Sequence, residues 1–213
     1  MKIKVCGMRE TANIKDLSEL QPDYMGLIFY AASKRFVNKT DLSFTDETYS
    51  NIKLTGVFVN ENKANILLKV RQFNLQAIQL HGDESPEFCS SLRTALHTLK
   101  PNLELIKAFG LDKSFEFSVL DDFVPVVDFF LFDTKTPGHG GSGKKFDWTI
   151  LNQYKLQKPF FLSGGIGFNN LQELRQINDY RFYGVDLNSK FEISPGLKDI
   201  EKISQAIRDL RQI

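Results

Sequence analysis

Short apolar segments alternate with longer polar segments along the whole chain. The apolar segments are rich in Val, Ile, Phe and Tyr, and most of them end in Gly, Asp or Asn, a boundary typical of strands. They read IKVCG, YMGLIFY, LTGVFV, AIQLHG, ELIKAFG, FFLFDT, FFLSGGI and YGVDLN. Their nearly continuous apolar character predicts strands that are buried on both faces, as in a parallel sheet.

Several of the polar segments between these strands have apolar residues three or four positions apart. This spacing places the apolar side chains on one face of a helix, so we expect helices that pack on the sheet. The aligned residues are Ile66, Val70 and Phe73, then Leu171, Leu174 and Ile177, and finally Ile200, Ile203, Ile207 and Leu210.

The strands recur roughly every 22 to 30 residues, which is the length of a βα unit, and there are about eight of them. With no linker and no break in composition, this pattern predicts a single-domain α/β protein, a closed (β/α)8 TIM barrel over residues 1–213. The alternative is an open doubly wound sheet, which usually has fewer strands at this length.

Composition and charge narrow the classes of function. An apolar fraction of 42% supports a sizeable core, and 27 basic against 26 acidic residues give a net charge of +1. Nothing in this balance indicates nucleic acid or an anionic membrane as a partner. The N-terminus lacks the apolar core of a signal peptide, and the longest apolar runs are too short to span a bilayer. We therefore expect a cytoplasmic protein.

In a barrel of this type, chemistry takes place at the C-terminal ends of the strands. Polar or reactive residues stand at six of the eight predicted strand ends, which is the arrangement of an active-site face. In chain order they are Cys6, Tyr30, His81, Asp133, Ser163 with Gly164 and Gly165, and Asp186 with Asn188.

Cys6 ends the first strand and is followed by Gly7. Strand alternation places Lys4 on the same face, and a nearby cation lowers the pKa of a thiol and makes it reactive. The alternative is a small buried hydrophobic residue. Cys89 lies in SPEFCSSLR, a helix that Ser85 and Pro86 begin, and we expect it only to pack. The two cysteines form neither a disulfide framework nor a zinc motif.

Asp133 ends the unusually apolar strand Phe129–Phe130–Leu131–Phe132. A carboxyl group there is partly removed from water, which favours its neutral form and suits a general acid. An Asp that binds loop amides is the structural alternative.

Gly164 and Gly165 follow the seventh strand and lead into a helix that begins near Asn169 or Asn170. The amides of such a turn, together with a helix N-terminus, bind anions, and this loop is a frequent phosphate site in barrels. A tight turn that needs positive φ is the alternative. Arg35, after the second strand, could hold a substrate carboxylate in a bidentate pair, and the alternative is a solvated surface charge.

The segment GHGGSGKK, from Gly138, nearly matches the P-loop pattern G-x-x-x-x-G-K-[S/T]. Lys145 replaces the Ser or Thr that holds magnesium, and TKTP separates the strand from the glycines, so we expect no nucleotide triphosphate there. A flexible cover beside the active-site face fits the glycines better. His97 and His139 have no visible partners, and no cluster has the spacing of metal ligands.

Seven motifs follow one another in an order that is characteristic of a known family. They are KVCGM, GLIFY with SKR, GVFVN, QLHG, FDTKTPGHGGSGKKFDW, LSGGI and VDLNSKFEISPGLKD. Together they resemble phosphoribosylanthranilate isomerases of tryptophan biosynthesis over nearly the whole chain. The resemblance implies a (β/α)8 barrel without cofactor or metal, which converts N-(5-phosphoribosyl)anthranilate to 1-(2-carboxyphenylamino)-1-deoxyribulose 5-phosphate.

The resemblance also implies roles for residues. Cys6 is then the general base and Asp133 the general acid, and the partner is a small phosphorylated substrate. The implied substrate-binding residues are Arg35 for the anthranilate carboxylate, Gln79 and His81 at the mouth, and Asp186, with Gly164, Gly165, Asn188 and Ser189 for the phosphate.

One departure and three open questions remain from the sequence. Lys190 stands where the family often has Gly, so the phosphate contacts after the eighth strand need not be the same. A related ribotide isomerase would use aspartate in place of Cys6, and a phosphate-binding protein without catalysis would require neither Cys6 nor Asp133. Both a monomer and a homodimer are compatible with the sequence.

Overall fold

Eight parallel strands form a closed barrel in the computed structural model, which describes residues 1–38, 42, 44, 49–135 and 146–212. Each strand pairs with the next in the chain, and β8 pairs with β1 to close the barrel. The strands are β1 Lys2–Cys6, β2 Tyr24–Ile28, β3 Lys53–Phe58, β4 Ala77–Leu80, β5 Glu104–Leu111, β6 Phe129–Thr134, β7 Phe160–Leu162 and β8 Phe182–Leu187. The predicted fold class and all eight predicted strands are confirmed.

Four α-helices pack outside the barrel in the described ranges, and they are α1 Thr11–Glu19, α2 Lys63–Gln72, α3 Pro86–Leu99 and α4 Ile200–Arg211. Three of them begin at a side-chain cap, as helix N-termini commonly do. Asn62, Ser85 and Asp199 each accept a hydrogen bond from the backbone N–H three residues later. The predicted start of α3 at Ser85 and Pro86 is confirmed.

Between several strands the outer layer consists of 3-10 helices instead of α-helices. They span Phe117–Phe123, Trp148–Gln153 and Leu171–Gln176, and a short one at Ser189–Phe191 follows β8. The α-helix expected around Leu171 and Leu174 is therefore wrong in type, although both side chains are buried as predicted. Six residues give too few α-helical hydrogen bonds to offset the cost of nucleation.

The barrel interior changes from apolar to polar along its axis. At the N-terminal end, aromatic rings fill the interior. The rings of Tyr24 and Phe161 meet edge to face with their centroids 5.2 Å apart, and those of Phe129 and Tyr183 pack with their centroids 4.5 Å apart. Towards the C-terminal end, buried polar side chains replace them, among them Lys4, Thr55 and Gln79. Buried polar groups require partners, so this layer fixes the geometry of the site above it.

A two-stranded hairpin follows β8 and lies outside the predicted pattern. Its strands are β9 Glu192–Ser194 and β10 Leu197–Lys198, joined through Gly196 at φ +89°. Glu192 and Lys198 are opposite each other in this ladder. The turn that glycine permits therefore brings an acid and a base together beside the last strand.

No helix in the described ranges is long and apolar enough to cross a membrane.

Candidate active site

A cavity of about 60 Å³ opens at the C-terminal ends of the strands and is lined by most of the residues that the sequence singled out. Those at the cavity are Cys6, Arg35, Gln79, His81, Asp133, Asp186 and Asn188. A second cavity of about 480 Å³ shares His81 and Asp133 and extends over β5. With Tyr30, Val57 and Ser163, which also line the smaller cavity, the barrel brings residues from seven strands and their loops to one opening.

Cys6 lies in a space that a glycine leaves open. It pairs in register with Gly26 on β2, and a Cβ atom at Gly26 would lie 2.6 Å from the sulfur. That distance is far shorter than an ordinary contact, so only glycine leaves room for the thiol in this position. The sequence did not reveal this steric requirement at Gly26, because the sulfur that imposes it lies on the neighbouring strand.

The thiol of Cys6 has a raised pKa. Burial is the largest cause, because it disfavours the thiolate, and the nearby charge of Asp186 adds to it. Lys4 and Lys198 act in the opposite direction. The expected lowering by Lys4 is therefore present but outweighed, and the expectation of a lowered pKa in the free protein is wrong.

Lys4 and Asp186 form a buried ion pair beneath the thiol, with Nζ and Oδ2 2.8 Å apart. Burial raises the pKa of Asp186, while Lys4 opposes the shift. The second oxygen, Oδ1, is buried and has no hydrogen-bond partner among the described residues. An unpartnered buried acceptor is costly, so Asp186 is suited to accept a hydrogen bond from a donor on a ligand.

Asp133 is buried at the end of β6 and lines the same cavity as Cys6. Its Oδ1 accepts a hydrogen bond of 2.7 Å from the Thr134 N–H, and its Oδ2 lies 3.5 Å from Nε2 of His81. A Cβ atom at Gly164 would be 2.7 Å from Oδ1. Gly164 therefore leaves room for the carboxyl group, in addition to the turn that the sequence predicted.

Gln79 and His81 act together at the end of β4. Nε2 of Gln79 lies 2.7 Å from Nδ1 of His81. When the amide donates there, the proton of a neutral His81 is on Nε2, which faces Asp133. Oε1 of Gln79 is buried without a hydrogen-bond partner in the described part of the chain. Both side chains therefore present polar atoms to a ligand.

Arg35 is held by an acid that the sequence did not reveal. Its Nε and Nη2 donate to the two oxygens of Glu192 at 2.8 and 2.5 Å, and this bidentate pairing is the main cause of a raised Arg35 pKa. A Cβ atom at Gly7 would lie 2.6 Å from Cδ of Arg35. Gly7, at φ +81°, thus lets the arginine stem cross close to Cys6.

Lys198 is a second buried cation in this group. Its Nζ donates to Oε1 of Glu192 and to Oδ1 of Asn188, each at 2.7 Å. Burial lowers the pKa of Lys198, and Glu192 opposes the shift. Glu192 and Lys198 both lie in the motif FEISPGLKD, to which the sequence assigned no site role.

The loop after β7 turns through Gly164 at φ +85° and Gly165 at φ +67°. Buried Asn170 braces it: its Oδ1 accepts from the Gly167 N–H at 2.9 Å, and its Nδ2 donates to the Gly165 carbonyl at 3.0 Å. The predicted glycine turn is present. The helix N-terminus expected to support it is not, because a 3-10 helix of six residues follows.

The loops after β7 and β8 approach each other. The carbon stem of Lys190 lies 3.2 Å from the position of a Cβ atom at Gly167, and Ser189 precedes it in the same 3-10 turn. Lys190 itself is exposed. Of the predicted phosphate-binding residues, Asn188 lines the smaller cavity, whereas Gly164, Gly165 and Ser189 do not.

The remaining predicted features lie elsewhere. Cys89 is buried in α3 and burial raises its pKa to about 11, which agrees with a packing role. The glycine segment 138–143, with His139, Lys144 and Lys145, lies outside the described residues. No group of three or more His, Cys, Asp or Glu side chains in the described ranges could hold a metal ion. A cavity of about 630 Å³ lies outside the barrel, beside Trp148 and Tyr180.

Comparisons with known proteins agree with the barrel fold. The family model for N-(5'-phosphoribosyl)anthranilate isomerase matches residues 3–209. A relative of that name from Parabacteroides distasonis is 45% identical over 99% of this chain and 93% of its own length. The phosphoribosylanthranilate isomerase structure from Thermotoga maritima is 29% identical, with a TM-score of 0.78 and full coverage of both chains.

A further isomerase structure of the same name superimposes with a TM-score of 0.79 at 25% identity, again over both whole chains. That protein was crystallised with reduced 1-(o-carboxyphenylamino)-1-deoxyribulose 5-phosphate. The family model covers nearly the entire chain, and the relative from Parabacteroides distasonis shares 45% of its residues over almost the full length of both chains. This barrel therefore belongs to the N-(5'-phosphoribosyl)anthranilate isomerase family.

Proposed function

We propose that this enzyme converts N-(5-phosphoribosyl)anthranilate to 1-(2-carboxyphenylamino)-1-deoxyribulose 5-phosphate, an Amadori rearrangement of tryptophan biosynthesis, with Asp133 as acid and Cys6 as base. The observation that carries the proposal is that both side chains line one cavity at the ends of β1 and β6. A carboxyl group and a thiol that line one opening suit a reaction that protonates one atom of a sugar and deprotonates another.

In the first step, Asp133 donates a proton to the ring oxygen of the furanose. The bond between that oxygen and C1′ breaks while the anilinic nitrogen forms a Schiff base with C1′. Asp133 is held for this role by the Thr134 amide and faces Nε2 of His81. A hydrogen bond from His81 stabilises the carboxylate that remains after the proton has left.

In the second step, the Cys6 thiolate removes the proton from C2′, and the electron pair moves to the Schiff base to give an enolamine. The enolamine tautomerises to the ketone: C1′ gains the proton held by the Cys6 thiol, and the C2′ hydroxyl gives its proton to Asp133, so the acid and the thiolate are both restored. The raised pKa of Cys6 means that the thiol is mostly protonated in the free protein near neutral pH, so its proton leaves to solvent before the thiolate acts. Lys4 and Lys198 stabilise the thiolate when it forms, and a base of high pKa removes protons strongly.

Binding groups surround this pair. The loops after β7 and β8, with Gly164, Gly165 and Ser189, are proposed to hold the phosphate. Asp186 has an unpartnered oxygen for a sugar hydroxyl. The anthranilate carboxylate is assigned to Arg35. The rearrangement opens the sugar ring and transfers protons, with no group transferred to or from a second molecule, and both events need an acid and a base.

The activity is tested with substrate generated in situ from anthranilate and ribose 5-phosphate. We expect the enzyme to remove the fluorescence of the substrate, and chromatography to identify the ketone product by comparison with a chemically prepared standard. The matched control is the same mixture without enzyme, since the substrate decomposes by itself. Absence of enzyme-dependent product would contradict the proposal.

A further inference from the structure

Glu192 is the centre of a buried charge network that does not itself line the active-site cavity. Its Oε1 accepts from Nε of Arg35, from Nζ of Lys198 and, at 3.1 Å, from the N–H of Gly196. Its Oε2 accepts from Nη2 of Arg35. Four hydrogen bonds from three residues leave this carboxylate one possible position.

The way in which Glu192 holds Arg35 leaves half of the guanidinium for another ligand. The pairing uses the side edge, formed by Nε and one N–H of Nη2. The end edge consists of Nη1 and the second N–H of Nη2, and it has the same spacing of two parallel donors. Arg35 lines the cavity, so a second carboxylate can bind at that edge while Glu192 stays in place.

The charges of this group are also incomplete without such a ligand. Arg35 and Lys198 carry two positive charges against the single negative charge of Glu192, and the side chains of Glu192 and Lys198 are 5% and 0% exposed. A buried excess of positive charge is costly and attracts an anion. One further carboxylate at Arg35 would make the group neutral.

We propose that Glu192 is a positioning residue, which orients Arg35 from outside the cavity so that its end edge faces the carboxylate of the substrate. The inference rests on the proposed function, because it assigns that carboxylate to anthranilate. Glu192 contacts no reacting atom and acts through Arg35 alone. Its role is to reduce the freedom of a long side chain that would otherwise have to be ordered when the substrate binds.

The test compares two substrates that differ only in the ring carboxylate. These are N-(5-phosphoribosyl)anthranilate and N-(5-phosphoribosyl)aniline, with the product of each measured by chromatography. For Glu192→Gln, we expect KM for the anthranilate compound to rise about 10-fold or more, because a charge-assisted bidentate pair is lost. We expect kcat to change less than about threefold, and KM for the aniline compound to stay as in the unchanged enzyme.

Glu84→Gln is the matched control. Glu84 is also a buried acid that pairs with a buried lysine, Lys107, at 3.1 Å, but it does not contact Arg35. Glu84→Gln should lower the stability of the enzyme but leave the ratio of KM for the anthranilate compound to KM for the aniline compound unchanged. If Glu192→Gln does not fold, Glu192→Asp takes its place in the test. This variant keeps the negative charge on a shorter side chain, and the ratio of the two KM values is measured in the same way.

An unchanged KM ratio in the folded Glu192 variant would overturn the inference, as would an equal rise of KM for both substrates, which indicates a general structural role. Failure of the proposed function has a different signature, since the unchanged enzyme would then convert neither substrate and both proposals would fall together.

Discussion

Replacing Gly26 by alanine tests the position of the Cys6 thiol by steric means alone. The two residues are in register on adjacent strands, and the added methyl carbon would lie 2.6 Å from the sulfur and 3.1 Å from Cα of Cys6. Normal contacts of this kind are about 3.5 to 4 Å. The sulfur, or the strand that carries it, must therefore move by roughly 1 Å.

The magnitude follows from two effects. Overpacking of a well-packed core costs about 1 to 3 kcal/mol of unfolding free energy. A displacement of about 1 Å in a catalytic group lowers the rate about 10²-fold. We therefore expect Gly26→Ala to remain folded, with kcat reduced about 100-fold and a smaller change in KM.

Gly56→Ala provides the matched control. Gly56 is buried on the next strand, β3, and an added methyl carbon would lie 2.6 Å from Leu75 and 2.7 Å from Phe58. These contacts belong to the outer core and not to the cavity. The control should lose a similar amount of stability in chemical denaturation while its kcat stays within about threefold of the unchanged enzyme.

The reasoning is refuted if the folded Gly26→Ala enzyme keeps a kcat near that of the unchanged enzyme. It is also refuted if Gly56→Ala loses kcat equally, because the loss would then follow stability and not the place of the thiol. Denaturation curves and steady-state kinetics on the same preparations distinguish these results.

Two further predictions concern the groups around the cavity. The charge of Asp186 raises the pKa of Cys6 and that of Lys4 lowers it, so Asp186→Asn should lower the thiol pKa and Lys4→Met should raise it. The absorbance of the thiolate against pH, measured in a Cys89→Ala background, gives the direction of each pKa shift. If Asp186→Asn raises the pKa or Lys4→Met lowers it, these charges do not control the thiol. Asn170→Ala removes both hydrogen bonds that brace the loop after β7. The Gly167 N–H is buried and loses its acceptor at a cost of about 1 to 3 kcal/mol, whereas the Gly165 carbonyl is only part-buried and adds less. Denaturation should therefore show a loss of stability of about 1 to 3 kcal/mol and kinetics a KM raised about 10-fold, whereas an unchanged KM would contradict a phosphate role for the loop.

The sequence predicts the barrel well because its signals are local. Each strand is an apolar run, and most of these runs end in Gly, Asp or Asn. The start of α3 is indicated by two neighbouring residues, the N-cap Ser85 and Pro86 at the first helical position. Where a segment is short, the local signal fails. The spacing of Leu171 and Leu174 fits one turn of an α-helix and of a 3-10 helix alike, so periodicity did not distinguish them.

The sequence predicts which residues line the cavity, but it does not predict their pKa shifts or their ion pairs. Cys6, Asp133 and Asp186 stand at strand ends, which the topology brings together. The depth of burial that raises the pKa of Cys6 is a tertiary property, and the sequence shows only the nearby Lys4. The pairing of Arg35 with Glu192 joins residues 157 positions apart, for which one sequence contains no signal.

The central claim is that Asp133 and Cys6 act as acid and base on one substrate, and single-turnover kinetics test it most directly. Excess enzyme is mixed with N-(5-phosphoribosyl)anthranilate, and the loss of its fluorescence is followed for the unchanged enzyme, Asp133→Asn and Cys6→Ser. General acid and base groups each contribute about 10²- to 10⁴-fold. The account predicts that each variant binds substrate but converts it at least about 100-fold more slowly; a folded variant that keeps a rate within tenfold of the unchanged enzyme would contradict it.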